Sequence, residues 1–460
     1  MSFVFYDTET TGTSTAFDQI LQFGAIRTDE NLNILERFEI RCRILPHIIM
    51  SPGAMLVTGV TIEQASNPNL PTHYEMVRAI REKLFEWSPA IFVGYNSMAF
   101  DEELLRQAFY QTLHDPYLTN KQGNTRADAM LLVKAVAQFE PDCLIIPEKV
   151  NGRPNFKLDA LAPANGFDHQ NAHDAMADVE ALIHLCRIIE EDAPQEWSNF
   201  IRFSQKATCA DFLLSGAPVL LSEYYSFGGQ KHFPVVCIGA DREQPNKHLC
   251  FDLSHAPDDF RAFDHAVLIE CIKNRPKPLR KAKINAAPSI RDLDDAPAWC
   301  LGGLTVEDIE ARARDILADE PFIERLLVAY EDSKKEYPES AHVEDRIYGG
   351  FASPADNALM GQFHSRPWDD RHGLIDQFED DRFSLIAARL IFAHQPELLP
   401  DAMHQWVRNH IRERIMFDGE CAWGTVPKAL AECDAKLGTA TEVQAAMLLS
   451  YRSLLITLGN

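Results

Sequence analysis

The sequence predicts an α/β domain at the N-terminus, then a small β-rich region, then a helical region. Three observations predict it. Short alternating apolar runs fill the first 44 residues, and from there apolar runs alternate with helical periodicity to about residue 195. Short strand-like runs separated by Gly, Pro and Asn turns follow from about 204 to 270. From 305 onward the periodicity is helical.

Residues 2–7 alternate into a short strand that ends at Asp7, and 19–28 and 34–44 are strand-like with the turn TDENLN between them, so the chain opens as a β-meander. Residues 72–87 carry Met76, Ile80 and Leu84 on one helical face. The run 90–96 reads as a buried strand, and 100–113 as a helix with Asp101 in its first turn, where a carboxylate suits the helix dipole. Asp128 opens another helix, Leu158 to Asn165 is a short helix stopped by Gly166, and His173 to Glu191 is a long one. In the middle region PVLLSEYYS, HFPVVCIGA, HLCFDLS and AVLIECI read as strands. The acidic linker RDLDDAP leads to helical patterns at 306–334, 382–395, 401–416 and 441–458, with no repeat regular enough for a solenoid.

At 460 residues the chain is too long for one ordinary core, and two or three domains are expected. No stretch approaches the roughly 20 apolar residues of a membrane span, and FVFY is too short for a signal-peptide core. Ten cysteines without a CxxC pair argue against a zinc finger or disulfide framework; they fit a reducing cytoplasm, as small core residues. The net charge of −24 taken alone points away from nucleic acid. Against it stands one island, Cys271 to Arg291, with seven Lys/Arg and no acid. It reads either as a solvated loop or as an edge that contacts phosphates.

The chemistry is concentrated in five positions: Asp7 and Glu9 in FVFYDTETTG, Asp101 in GYNSMAFDEE, and His173 with Asp178 in NAHDAMADVEA. Strand periodicity puts Asp7 and Glu9 on one face, their Cα atoms about 7 Å apart. Asp101 and Asp178 enter from helices. Asp174 is a rival ligand, but helical rotation points it away from Asp178. Four carboxylates and an imidazole suit two hard divalent cations about 4 Å apart, Mg²⁺ with Mn²⁺ as a substitute, cutting a phosphodiester bond. His173, whose ordinary pKa lies near working pH, is the candidate general base. Around these, Thr10 adjoins the ligands and can meet a terminal nucleotide. Arg106 lies about one helical turn from Asp101. Phe23 and Tyr117 are candidates for stacking on bases, with core packing as the competing reading, and Arg126 and Lys157 for holding phosphates.

These motifs resemble the DnaQ-like DEDD exonucleases of the His subtype, and within them the bacterial exonucleases that degrade single-stranded DNA. The DxET strand appears as Asp7-Thr8-Glu9-Thr10, the Asn-x3-Phe-Asp motif as Asn96, Phe100 and Asp101, and His-x-Ala-x-x-Asp as His173, Ala175 and Asp178. Segments 53–65, 115–131, 156–179, KPLRKAKINAAP and 347–364 extend the resemblance over nearly the whole chain. It implies an RNase H-like exonuclease domain at 1–195, an SH3-like β domain with the basic segment and a helical connector at 196–345, and a helical exonuclease C-terminal domain at 346–460. It implies hydrolysis of single-stranded DNA from the 3′ end to 5′-mononucleotides in DNA repair, in a monomeric cytoplasmic enzyme. In that enzyme Asp7, Glu9, Asp101 and Asp178 hold two Mg²⁺ and His173 activates water. It also implies a partner, the acidic C-terminal tail of single-strand DNA-binding protein. Lys157 stands where the family has an arginine and Lys121 where it has an aromatic, which alters the substrate path but not the reaction. Lys277, Arg280 and Lys281 of the basic island are the expected backbone contacts. The rival readings are a nuclease for short RNA or a polymerase proofreader, and a non-catalytic single-strand binder.

Overall fold

Strand β1 (Phe3–Thr10) is enclosed on both faces, apolar from Phe3 to Tyr6 and polar from Asp7 to Thr10. It lies centrally in a sheet with β2 (Ile20–Thr28), β3 (Ile34–Arg41), β4 (Ile91–Gly94) and β5 (Thr125–Asp128), in the order β3-β2-β1-β4-β5. β1, β2 and β3 pair antiparallel, and β4 and β5 add parallel to β1. Phe3 and Phe5 face Val179, Leu182 and Ile183 of the helix Ala175–Asp192. Val4 and Tyr6 face Met76, Val77 and Ile80 of the helix His73–Glu86 and Leu104 and Leu105 of the helix Asp101–Tyr110. The chain is an α/β protein whose first sheet is covered by helices on both sides. The computed structural model describes residues 2–168, 174–225, 229–335 and 338–459.

The second sheet contains β6 (Val219–Tyr225), β7 (Gly229–Ala240), β8 (Lys247–Asp252), β9 (Leu279–Lys283) and β10 (Ile290–Asp292). Its order is β10-β6-β7-β8-β9, antiparallel throughout. Two expectations are corrected here. AVLIECI is a helix, His265–Lys273, because the Asp264 side chain accepts the Val267 amide at 2.9 Å and only one face, Leu268 and Cys271, is buried. The stretch after residue 204 also begins with a helix, Lys206–Leu214, before β6. The basic island is not a continuous loop: it contributes β9 and β10 at opposite edges of the sheet. The helix Pro194–Ser204 joins the two sheets, with Trp197 in the core of the first and Phe203 in that of the second.

Helices dominate beyond residue 305, and they do not form a separate block. Val426, Ala429, Cys433, Leu448 and Tyr451 of the last two helices share one core with Ile49, Met50, Met55 and Ile62 from the N-terminal region. The Tyr451 hydroxyl donates to the Met50 carbonyl at 2.8 Å. A further core joins Tyr74, Tyr110 and Leu113 to Phe363, Phe383 and Ile391. Among the described residues no helix is long and apolar enough to cross a membrane.

Candidate active site

Asp7 and Glu9 continue the Phe3–Phe5 face of β1, at the end where the sheet meets the start of the helix Ala175–Asp192. Gly24, opposite Asp7 in the register, makes this approach possible: a Cβ there would lie 2.9 Å from the backbone of Ala175 and Met176. That helix carries Asp178 in its first turn. Ligand oxygens of Asp7, Glu9 and Asp178 lie within 4.8 Å of one another. Asp174 has another task. It caps the helix through the Ala177 amide at 3.3 Å and binds Gln22 Nε2 at 3.0 Å and Arg41 Nη2 at 2.6 Å.

Asp101 arrives from the far side of β1. The Thr8 hydroxyl donates to Asp101 Oδ1 at 2.6 Å, which fixes the carboxylate beside the cluster. Asp101 heads its helix after a tight turn in which Asn96 has φ 60°, and Gly94 leaves room for Ser97, whose Cβ would otherwise meet a Gly94 Cβ at 2.4 Å. Asp128, at the end of β5, clamps this turn. It accepts the Asn96 amide at 2.9 Å, the Met98 amide at 3.2 Å and the Met130 amide at 3.0 Å. Behind Asp101, buried Glu102 accepts Tyr6 Oη at 3.1 Å, Thr119 Oγ1 at 2.6 Å, Arg126 Nη1 at 2.8 Å and Arg106 Nε at 3.1 Å. In the sequence Asp128 reads only as a helix start and Gly24 only as a residue of a strand. A glycine inside a strand is a signal for close backbone approach, but a lone Asp before a helix signals only a cap.

Burial is the main force on these acids. It raises Asp7 well above the usual carboxylate range, with Asp101 and Asp178 adding to the effect. Burial, then Asp178 and Asp101, raises Glu9 to about 8, and burial raises Asp101 to about 7. Mutual repulsion in a desolvated cluster makes a site that gains by taking up cations. The oxygen donors fit Mg²⁺ or Mn²⁺. His173 lies outside the described residues.

The expected substrate residues divide into two groups. Thr10 is buried, its hydroxyl donating to the Gly12 carbonyl at 2.7 Å in the turn after the ligands. Tyr117 is half-buried, beside Phe351 (centroids 5.7 Å apart) and with Lys121 Nζ 5.4 Å from its ring centroid. Phe351 is 83% exposed. It was not singled out, although it lies in the 347–364 segment, because a lone Phe in a sequence gives no sign of exposure. Lys121 also pairs with Asp115 at 2.5 Å. Lys157, Lys277 and Lys281 are exposed.

The other four are enclosed or engaged by neighbouring side chains. Phe23 is 0% exposed, between Tyr6 and Phe38, so no base can reach it. Arg126 is buried and its terminal nitrogens are taken by Glu102 and by the Asn285 carbonyl at 2.8 Å. Arg106 is held by Glu102, Glu103 and the Tyr348 hydroxyl. Arg280 binds Asp252 at 3.0 Å and lies 3.5 Å from the Phe233 ring centroid. These arginines pair with buried acids, Glu102 and Asp252, and those pairs engage their donors.

Residues 4–186 match the family described as Exonuclease. The chain is 29% identical to exodeoxyribonuclease I of Escherichia coli K12 over 384 residues, 78% of either chain. Its fold superimposes on E. coli exonuclease I in complex with a dA16 oligonucleotide with a TM-score of 0.87, at 23% identity and covering 99% of each chain. A structure described as SSB/exonuclease I in complex with inhibitor CFAM gives a TM-score of 0.84 at 24% identity, again over 99% of each chain.

Proposed function

We propose, on the premise that residues 4–186 form an exonuclease domain, that this protein removes 5′-mononucleotides from the 3′ end of single-stranded DNA. The observation that carries the proposal is the convergence of Asp7, Glu9 and Asp178 within 4.8 Å on a buried face beside Asp101. Kinship with exodeoxyribonuclease I over most of the chain supports the choice of substrate. Asp7, Glu9, Asp101 and Asp178 would hold two Mg²⁺, which when bound supply an activated hydroxide and neutralise the departing 3′ oxygen.

The chain's own residues do the rest. β1 and the clamp on the Asn96–Met98 turn hold the carboxylates before substrate arrives, so little reorganisation is needed at the moment of reaction. Thr8 aims Asp101 by holding one of its oxygens. His173 accepts the proton of the attacking water. Phe351 and Tyr117 take unstacked bases, and Lys121, Lys157, Lys277 and Lys281 take backbone phosphates without reading sequence.

The antiparallel second sheet supports the SH3-like reading of 196–345, and the joint cores support a helical region at 346–460 that closes over the first domain. The acidic tail of single-strand DNA-binding protein is the proposed protein partner, supported by the likeness to the structure described as SSB/exonuclease I. The working unit is a cytoplasmic monomer acting in DNA repair.

Substitution separates binding from chemistry. His173→Ala keeps single-strand binding and loses turnover by about 10²–10⁴-fold, the usual worth of a general base. Asp178→Asn loses Mn²⁺ binding as well, measured by calorimetry. Undiminished hydrolysis by either variant overturns the site.

A further inference from the structure

Ten cysteines are free, and two of them face each other across neighbouring strands. Cys237 on β7 is the register partner of Cys250 on β8, and both sulfurs belong to one apolar core on the same face of the second sheet. Directly opposed residues of an antiparallel pair have Cα atoms about 4.5–5.5 Å apart. That falls inside the roughly 4.4–6.8 Å that a disulfide spans. The register shifts just after Cys237, where β7 bulges at Ile238, and the Cys237 thiol bends back toward the Gly239 carbonyl at 3.5 Å. His248, two residues from Cys250 on the same side of β8, puts Nδ1 3.6 Å from Cys237 Sγ. Cys237 is 8% exposed, His248 5% and Cys250 0%, so Cys237 is the less enclosed of the two cysteines.

We propose that Cys237 and Cys250 form a reversible dithiol–disulfide pair, with Cys237 reacting first with a peroxide and Cys250 resolving it. The Cys250 thiol and His248 both hold the Cys237 thiol below the usual range, which favours the nucleophilic thiolate. The Cys237 sulfur attacks a peroxide oxygen, the O–O bond breaks, and a sulfenic acid and one water form. The Cys250 sulfur then attacks the sulfenic sulfur, the S–O bond breaks, an S–S bond forms and a second water leaves. Two thiols are oxidised, one peroxide is reduced by two electrons, and both thiol protons end in water. The pair lies one strand from β9, where Cys250 faces Arg280 across the ladder. The third cysteine of this core, Cys209, is the built-in control: it donates to the Phe203 carbonyl at 3.0 Å and has no register partner in the sheet.

The deciding test uses the full-length wild-type protein, and one variant adds a check on the intermediate. Native protein is treated with hydrogen peroxide, denatured, alkylated and digested, and the peptides are identified by mass spectrometry. The expected result is at least a tenfold loss of alkylation at Cys237 and Cys250 together, a peptide linking the two, and full recovery with dithiothreitol. In Cys250→Ala, dimedone should trap the Cys237 sulfenic acid. Full alkylation of both residues after native-state peroxide, or a linked peptide joining Cys209 to either, overturns the proposal.

Discussion

Glu9 and Asp101 hold protons near neutral pH when no cation is present, because they are buried among like charges. Binding of a divalent cation must therefore release protons. Adding Mg²⁺ to weakly buffered protein at pH 7 should acidify the solution, and Asp178→Asn should reduce the release along with the binding; no proton release would contradict the raised pKa values. The same shifts govern stability. The folded pKa values, about 7 for Asp101 and about 8 for Glu9, lie above the unfolded ones near 4, so the folded state binds more protons between them. In EDTA this contribution is full below about pH 4 and is lost as pH rises through 7 and 8. The melting temperature in EDTA should thus fall from pH 5.5 to 8.5, and Mg²⁺ should raise it more at pH 8 than at pH 6. A profile in EDTA that is flat or rising would contradict this.

At the scale of elements, the site depends on two close approaches. A Cβ on Gly24 would press on the backbone of the Ala175–Asp192 helix, and Gly24→Ala should shift Asp178 from Asp7 and Glu9, lowering activity about tenfold or more, as expected for small displacements of catalytic groups. Asp128→Ala frees the Asn96 and Met98 amides, at about 1.5–3 kcal/mol for each hydrogen bond to a charged acceptor that is removed. It should raise the Mg²⁺ concentration for half-maximal rate, with Asp128→Asn intermediate; an unchanged Mg²⁺ requirement would remove Asp128 from the positioning of Asp101. The strands that carry Asp7 and Glu9 and the helices that carry Asp101 and Asp178 were legible because their apolar periodicity is local. AVLIECI was misread because a short apolar run suits a strand as well as a helix, and only the Asp264 cap decides it. The partners of Arg126 and Arg280, the Tyr348 contact of Arg106 and the burial of Phe23 were not legible, because each depends on residues distant in sequence. Glu102, next to Asp101, reads as one more surface acid, yet it is 0% exposed and joins two of those arginines.

Over the whole molecule the charge of −24 is compatible with the proposed polyanionic substrate because charges beyond about 8 Å are screened at physiological salt. The exposed lysines of the basic island and its ion-paired Arg280 should behave differently. Lys277→Glu with Lys281→Glu should lower the salt dependence of single-strand binding, by about one in slope for each phosphate left without a lysine. Arg280→Glu should instead lower the melting temperature, because it leaves Asp252 without its partner. Phe351→Ala should weaken single-strand binding by about 1–3 kcal/mol, the worth of one stacked base. The most direct test of the central claim is digestion of a 5′-labelled single-stranded DNA in Mg²⁺, beside the same strand in a duplex and its RNA counterpart. The account predicts a ladder that shortens from the 3′ end with 5′-mononucleotide as product, fastest on single-stranded DNA and absent in Asp7→Asn. Immediate release of the 5′ label, or RNA degraded as fast as DNA, would contradict it.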